Sequence, residues 1–155
     1  IGLAVTENLL SEKLGLKPLA QPVSSKELAI RKAVEKYVDT LVKAYWQGTP
    51  MPLNEVATAA QVRTIRLNMA WNHFEKKQKL LPYLHSLHTT KIIPQGKKRA
   101  EVYTDEDWSY RYVEEATAKT TFQTRERYQV RYQLVKSSGD WLVDSAKVLK
   151  KEKVN

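Results

Sequence analysis

The segment from Tyr128 to Val148 constrains the fold of this chain most strongly, because it is typical of two antiparallel strands joined by a tight turn. In its first half, aromatic and aliphatic residues alternate with Gln and Arg, which is the pattern of a strand with one buried face. The polar residues 137–140 interrupt this pattern, and Gly139 can adopt the positive φ that a tight turn requires. Trp141 then begins the return strand. The segment therefore predicts a β-hairpin.

The residues before this hairpin predict two further strands. Residues 83–93 are rich in β-branched and aromatic side chains, and Pro94–Gly96 predicts a turn after them. Residues 99–115 form a long strand candidate, which a short connection near 116–119 joins to residues 121–136. In both long strands the even positions are mainly aromatic or apolar, whereas odd positions carry acids in the first strand and Arg in the second. Pairing of even with even positions would place rings on one face and ion pairs on the other.

Two helices are predicted before the strands. Ser24 and Glu27 have the spacing of a capping box, and apolar residues then recur every three or four positions as far as Tyr45. Gly48 is predicted to end this first helix. A second helix is predicted from near Asn54 to about Lys79, with a break near Asn68 as the alternative. Its predicted core positions are Val56, Ala60, Ile65, Leu67, Trp71 and Phe74.

The order of these elements predicts an α+β fold. The length of 155 residues matches one domain, and residues 1–23, which contain Gly15, Pro18 and Pro22, are predicted to be an arm or linker before a domain at 24–155. The predicted architecture packs the N-terminal helices on a curved antiparallel sheet of about four strands. This predicted arrangement resembles the nuclear-transport-factor-2-like (NTF2-like) or cystatin-like cone.

Three stretches resemble the intermembrane-space domain family of cyanobacterial and chloroplast division proteins, whose pattern is roughly A-x-V-x-A, V-R-Y-x-L-V-R/K and G-x-W-x-I/V. The corresponding residues are R-A-E-V at 99–102, V-R-Y-Q-L-V-K at 130–136 and G-D-W-L-V at 139–143. The resemblance covers the C-terminal third, and K-A-Y-W-Q-G at 43–48 is only a loose counterpart of the family's first helix. It implies an NTF2-like domain without enzymatic activity, which either binds a partner protein's tail across an envelope compartment or acts as an accessory module.

Five aromatic residues share the predicted inner face of the sheet, and they either fill a core or line a pocket. They are Trp108, Tyr110, Tyr112, Tyr128 and Tyr132. Asp105 and Asp107 fall on the opposite face by parity, so we expect no general base among the rings and no enzymatic activity. Tyr45, Trp46 and Trp71 could belong to the core or frame a groove for a partner.

We expect no metal site and no cofactor. His85 and His88 would point to opposite sides of a strand, and no neighbouring carboxylate completes a ligand set. The chain has no cysteine, which excludes disulfides and thiolate metal sites. No apolar run is long enough to span a bilayer. Because the chain begins at Ile1, we expect it to be part of a larger protein with an anchor upstream, on the extracytoplasmic face of a membrane.

The net charge of +9 raises the question of an anionic ligand. Two basic clusters could bind phosphate groups of a lipid surface or, less favoured without a recognition motif, of nucleic acid. They are Lys97, Lys98 and Arg99, and Lys147, Lys150 and Lys151. Three functions therefore stay open: a non-enzymatic protein-interaction or accessory domain, a small-molecule-binding or enzymatic domain that uses the cone interior, and a binder of anionic lipid or nucleic-acid backbone.

Overall fold

The computed structural model describes residues 24–154 as two helices packed on one four-stranded sheet. The elements are helix α1 (Ser25–Gln47), a short 3₁₀-helix (Met51–Glu55), helix α2 (Ala59–Phe74), and strands β1 (Gln78–Gln95), β2 (Arg99–Glu114), β3 (Thr120–Ser137) and β4 (Asp140–Lys153). The strands follow one another as an antiparallel meander in the order β1-β2-β3-β4. The predicted α+β fold with a curved four-stranded sheet is confirmed. The predicted arm at 1–23 lies outside the described residues.

The register of β2 and β3 pairs even positions with even positions, as predicted. Val102 is opposite Tyr132, and Asp107 is opposite Arg127. The inner face is therefore mainly apolar and aromatic, and the outer face is ionic: Val102 and Tyr132 are buried, while Arg125 donates two hydrogen bonds, of 3.0 and 2.9 Å, to the Asp107 carboxylate on the outer face. Irregularities in the β1–β2 and β3–β4 pairings increase the local twist and help the sheet to curve toward the helices.

Helix α1 is the main layer over the sheet, and both of its predicted ends are confirmed. The Ser24 hydroxyl accepts a hydrogen bond from the Glu27 N–H at 3.1 Å, which satisfies one of the free donors of the first turn. Gly48 has a φ of 77° and donates its N–H to carbonyls of the last turn. The side chains that α1 buries against the sheet include Ile30, Val34, Tyr37 and Val38.

The bounds predicted for the second helix are wrong. Residues 51–55 form the short 3₁₀-helix, and α2 begins only after Thr58, whose hydroxyl accepts from the Gln61 N–H at 3.3 Å. The residues between them pair with the edge of β4, because Thr58 N–H donates to the Val143 carbonyl and Val143 N–H to the Val56 carbonyl, each at 3.0 Å. This pairing withdraws residues 56–58 from the helix. No break occurs at Asn68.

The predicted core face of α2 is also largely wrong. Val56 is buried and Ile65 is partly buried, but Ala60, Leu67, Trp71 and Phe74 are exposed. The helix instead buries Gln61, Val62 and Asn72. Gln61 Nε2 donates to the Tyr37 hydroxyl at 2.7 Å, and Gln78 Nε2 donates to Asn72 Oδ1 at 2.8 Å. Hydrogen-bonded amides therefore orient this helix, and most of its apolar side chains remain at the surface.

Two leucines test this arrangement with the same chemical change. Leu53→Ala removes a fully buried side chain, and we expect it to lower the free energy of unfolding by about 2 to 5 kcal/mol. Leu67→Ala removes a side chain that is 62% exposed, and we expect a change below about 0.5 kcal/mol. Urea unfolding followed by circular dichroism measures both. Equal losses for the two variants would contradict the orientation of α2.

Candidate functional site

A cleft of about 450 Å³ lies between the helices and the inner face of the sheet. Its existence follows from element lengths. Strand β2 has 16 residues, or roughly 50 Å at about 3.3 Å per residue. Helix α1 has 23 residues, or roughly 35 Å at about 1.5 Å per residue. The helix is therefore shorter than the strands that it covers, and part of the inner face is left open beside it.

The cleft brings together all five aromatic residues predicted for the inner face. Trp108 and Tyr132 are buried at its base, whereas Tyr110, Tyr112 and Tyr128 are only half-buried. Tyr37 and Tyr45 of α1 and Ile65 and Asn68 of α2 contribute to the opposite wall. The sequence left two alternatives for these residues, core packing and pocket lining. Both occur, because the two buried rings belong to the core and the three half-buried rings line the pocket. We call this feature the tyrosine cleft.

Glu106 lies among these rings, so the expectation that no carboxylate is placed there is wrong. Its side chain is only 4% exposed and lines the tyrosine cleft. Oε1 accepts a hydrogen bond from Trp108 Nε1 at 2.7 Å, and Oε2 accepts from the Tyr132 hydroxyl at 2.6 Å and the Thr104 hydroxyl at 2.5 Å. The parity of position 106, which matches that of Trp108, was the sequence signal for this placement.

Glu126 is a second inward carboxylate that the sequence reasoning missed. It is 5% exposed, accepts from the Tyr128 hydroxyl at 3.1 Å and lies 3.5 Å from Lys151 Nζ. Burial acts to raise the pKa of Glu126, but hydrogen bonds from Tyr110 and Tyr128 and the charge of Lys151 together lower it. Lys151, predicted as part of an anion-binding cluster, therefore has an internal acidic partner.

The cleft holds the tyrosine hydroxyls in their neutral form. Burial, with a smaller contribution from the charge of Glu106, raises the pKa of Tyr37 to about 12, against the effect of the Gln61 hydrogen bond. Burial, with hydrogen bonding to Glu126, raises the pKa of Tyr110 to about 12. Burial also raises the pKa values of Tyr45, Tyr112, Tyr128 and Tyr132. Three of these hydroxyls already donate hydrogen bonds within the protein: Tyr45 to Asn68 Oδ1, Tyr128 to Glu126 Oε1 and Tyr132 to Glu106 Oε2.

The two predicted basic clusters lie apart. Lys97, Lys98 and Arg99 are at the β1–β2 turn, where Arg99 is opposite Val135 of β3. Lys150 is opposite Gln129 of the same strand. Residues 129 and 135 are separated by roughly 20 Å at about 3.3 Å per residue. Lys147, the nearest member of the second cluster, is opposite Arg131, roughly 13 Å from Val135 at about 3.3 Å per residue. The two clusters therefore occupy separate positions along the sheet, and anion binding at either cluster stays a prediction.

The remaining sequence candidates occupy separate places. His85 Nε2 lies 2.6 Å from Ser109 Oγ, and His88 is opposite Asp105 in the β1–β2 pairing. Among residues 24–154, no three His, Cys, Asp or Glu side chains cluster as metal ligands. Trp46 is 46% exposed but donates its indole N–H to the Pro82 carbonyl at 2.7 Å. Trp71 is 52% exposed on α2, with Lys76 Nζ 5.2 Å from its ring centroid.

Comparison with known structures identifies the same fold in two proteins of low sequence identity. The intermembrane space region of chloroplast protein ARC6 has a TM-score of 0.67 and 16% identity, over 83% of this chain and 98% of that chain. The periplasmic fragment of TraM has a TM-score of 0.51 and 6% identity, over 81% of this chain and 98% of that chain. These likenesses establish the fold alone.

No protein-family model and no curated protein matches the sequence. The resemblance to the division-protein family is therefore supported at the level of the fold, and the NTF2-like assignment stays a prediction. Neither α1 nor α2, the two α-helices within residues 24–154, is long and apolar enough to cross a membrane.

The raised pKa values predict a loss of stability at high pH. A tyrosine whose folded pKa exceeds its unfolded value of about 10 stabilises the fold fully below pH 10, and this contribution is lost as pH rises through the folded pKa. For Tyr37 and Tyr110 that loss falls between about pH 10 and pH 12. We expect the absorbance at 295 nm of native protein to rise at higher pH than that of protein unfolded in urea. Coincident titration curves would contradict the burial of these phenols.

Proposed function

We propose that this chain is a non-enzymatic protein-interaction domain of a larger, membrane-associated protein, and that it binds a segment of a partner protein in the tyrosine cleft. The observation that carries this proposal is the row of half-buried tyrosines at an open cleft, Tyr110, Tyr112 and Tyr128. Tyrosine offers a large rigid contact area and a hydroxyl donor at low entropic cost, and for this reason it is common in binding surfaces.

The two structures of the same fold support the proposed location. One is an intermembrane space region and the other is a periplasmic fragment, and both names describe parts of proteins that face an extracytoplasmic compartment. We therefore propose that this domain lies on the extracytoplasmic face of a membrane. The chemistry of the cleft is what indicates which kind of partner segment binds there.

The hydrogen bonding of the carboxylates favours binding over catalysis. A general base needs an accessible lone pair within reach of the proton that it removes. Three of the four acceptor positions of the Glu106 carboxylate are occupied by Thr104, Trp108 and Tyr132, and Glu126 is close to Lys151. Asp107 on the outer face is bound by Arg125, which lowers its pKa chiefly through hydrogen bonding. These contacts support a domain without enzymatic activity.

A second candidate function is the binding of a small molecule in the same cleft. Its volume of about 450 Å³ falls within the range of ligand pockets, roughly 300 to 1,000 Å³. Glu106 supplies a titratable group among the rings, which is the feature that this alternative requires. A fragment that binds the cleft with micromolar affinity, in a chain that binds no peptide, would favour this candidate over the first.

Selection from a phage-displayed random peptide library tests the main proposal. We expect selected peptides to bind wild-type protein and to lose at least about tenfold in affinity to Tyr110→Ala, because truncation of a central aromatic contact typically costs more than about 1 kcal/mol. Tyr83→Ala is the matched control, since Tyr83 is 60% exposed and pairs with Ser109 away from the cleft. Fluorescence polarisation measures both affinities.

Thermal unfolding of each variant provides the folding control. Failure to select any peptide, or equal binding by wild type and Tyr110→Ala, would overturn the proposed peptide site. A loss of affinity in Tyr83→Ala alone would place the binding surface on the outer face of the sheet.

A further inference from the structure

Glu106 is a buried carboxylate without a cationic partner. Within residues 24–154, no Lys, Arg or His nitrogen lies within the 4.0 Å of a salt bridge from its oxygens, and its donors are the neutral groups of Thr104, Trp108 and Tyr132. Glu126 and Asp107, in contrast, have Lys151 and Arg125 at 3.5 and 2.9 Å. Buried carboxylates in proteins are normally paired with a cation, so the charge of Glu106 calls for a partner from outside residues 24–154.

The walls of the tyrosine cleft provide no such cation. The described residues that line it are aromatic, aliphatic, amide or hydroxyl side chains together with Glu106, and none of these is Lys, Arg or His. This composition is unusual in a chain with 26 Lys and Arg residues and a net charge of +9. The interior of the cleft is thus an acidic, aromatic region in a basic protein.

The geometry of the rings and of the carboxylate suits a cation. The rings of Tyr110 and Tyr112 are in edge-to-face contact, with centroids 5.8 Å apart and ring planes at 84°. Ring faces attract ammonium and guanidinium groups through their quadrupole. Oε1 of Glu106 accepts one hydrogen bond whereas Oε2 accepts two, and because each carboxylate oxygen can accept two, Oε1 retains a position for a further donor.

We propose that the tyrosine cleft receives the ammonium or guanidinium group of a lysine or arginine side chain on the partner segment, with Glu106 as its counter-charge. The methylene stem of that side chain packs against the aromatic rings that line the cleft, and the charged end lies toward Oε1 of Glu106. The inference rests on the proposed function, since it specifies which side chain of the partner enters the cleft. Complementary charge and an apolar channel favour this occupant over a neutral or acidic side chain.

Matched probes test the charge directly on the wild-type protein. The probes are N-acetyl-lysine N-methylamide and N-acetyl-norleucine N-methylamide, which share a methylene stem and differ in the ammonium group. Titration is followed through the indole N–H resonance of Trp108, the donor to Glu106 Oε1. We expect the lysine probe to bind at least about tenfold more tightly and to shift this resonance, since a desolvated cation over an aromatic ring gains about 2 kcal/mol before its carboxylate contact.

Glu106→Gln tests the role of the carboxylate. The change keeps the shape of the side chain and removes its charge, and we expect the preference for the lysine probe to fall to within about twofold. Asp105→Asn is the matched control: it removes a charge from the neighbouring position of β2, but Asp105 is exposed and on the outer face, so the preference is expected to persist. If Glu106→Gln does not fold, the comparison of the two probes on wild-type protein still decides whether the cleft prefers a cation.

The outcomes separate this inference from the proposed function. Equal binding of the two probes would overturn the cation site. Selected peptides that bind the cleft without a common Lys or Arg position would also overturn the cation site, but they would support the proposed interaction domain. A cleft that binds n-butylammonium but no peptide would overturn both, in favour of a small-molecule amine. Enrichment of Lys or Arg at one peptide position, with loss of binding in Glu106→Gln, would support both.

Discussion

The register between β2 and β3 is the constraint on which the rest of the structure depends. It aligns Val102 with Tyr132 on the inner face and Asp107 with Arg127 on the outer face. A slip of β3 by one residue would turn Tyr128 and Tyr132 to solvent and bring Arg127 under the helices, away from Asp107, because successive side chains of a strand alternate between faces. Burial of the aromatic row and ion pairing on the outer face of the sheet therefore both favour the same register.

This register also assembles the hydrogen-bond cluster around Glu106. Thr104 and Trp108 lie two residues on either side of it on β2, and Tyr132 reaches it from β3. A buried carboxylate is costly unless its hydrogen bonds are satisfied, and satisfied bonds in a dry environment are stronger than in water. The cluster consequently joins the two central strands through side chains as well as through the backbone. It also fixes the rings that form the base of the cleft.

The sheet could be predicted from the sequence because a period of two assigns each side chain to a face. Parity alone assigns Glu106 and Glu126 to the inner face, whereas their charge alone would favour the solvent-facing side, so parity and charge predict opposite positions for these two acids. The orientation of α2 could not be predicted from hydropathy, since Gln61 and Asn72 hold it by hydrogen bonds and leave Leu67 and Trp71 exposed. The convergence of three donors on Glu106 depends on tertiary geometry, which no local pattern contains.

A basic protein can bind a cation in this cleft because the cation interacts mainly with the charges close to it, and not with the net charge of the protein. Charges in solvent are screened over about 8 Å at physiological ionic strength. Lys97, Lys98 and Arg99 are at the opposite end of the sheet, and exposed Lys147 and Lys150 lie on the edge strand β4, where lysine also discourages pairing with another sheet. Lys151 is near the cleft but contacts Glu126. Among the described residues that line the cleft, Glu106 is the one charged side chain, and its attraction for a cation is reduced least in surroundings of low polarity.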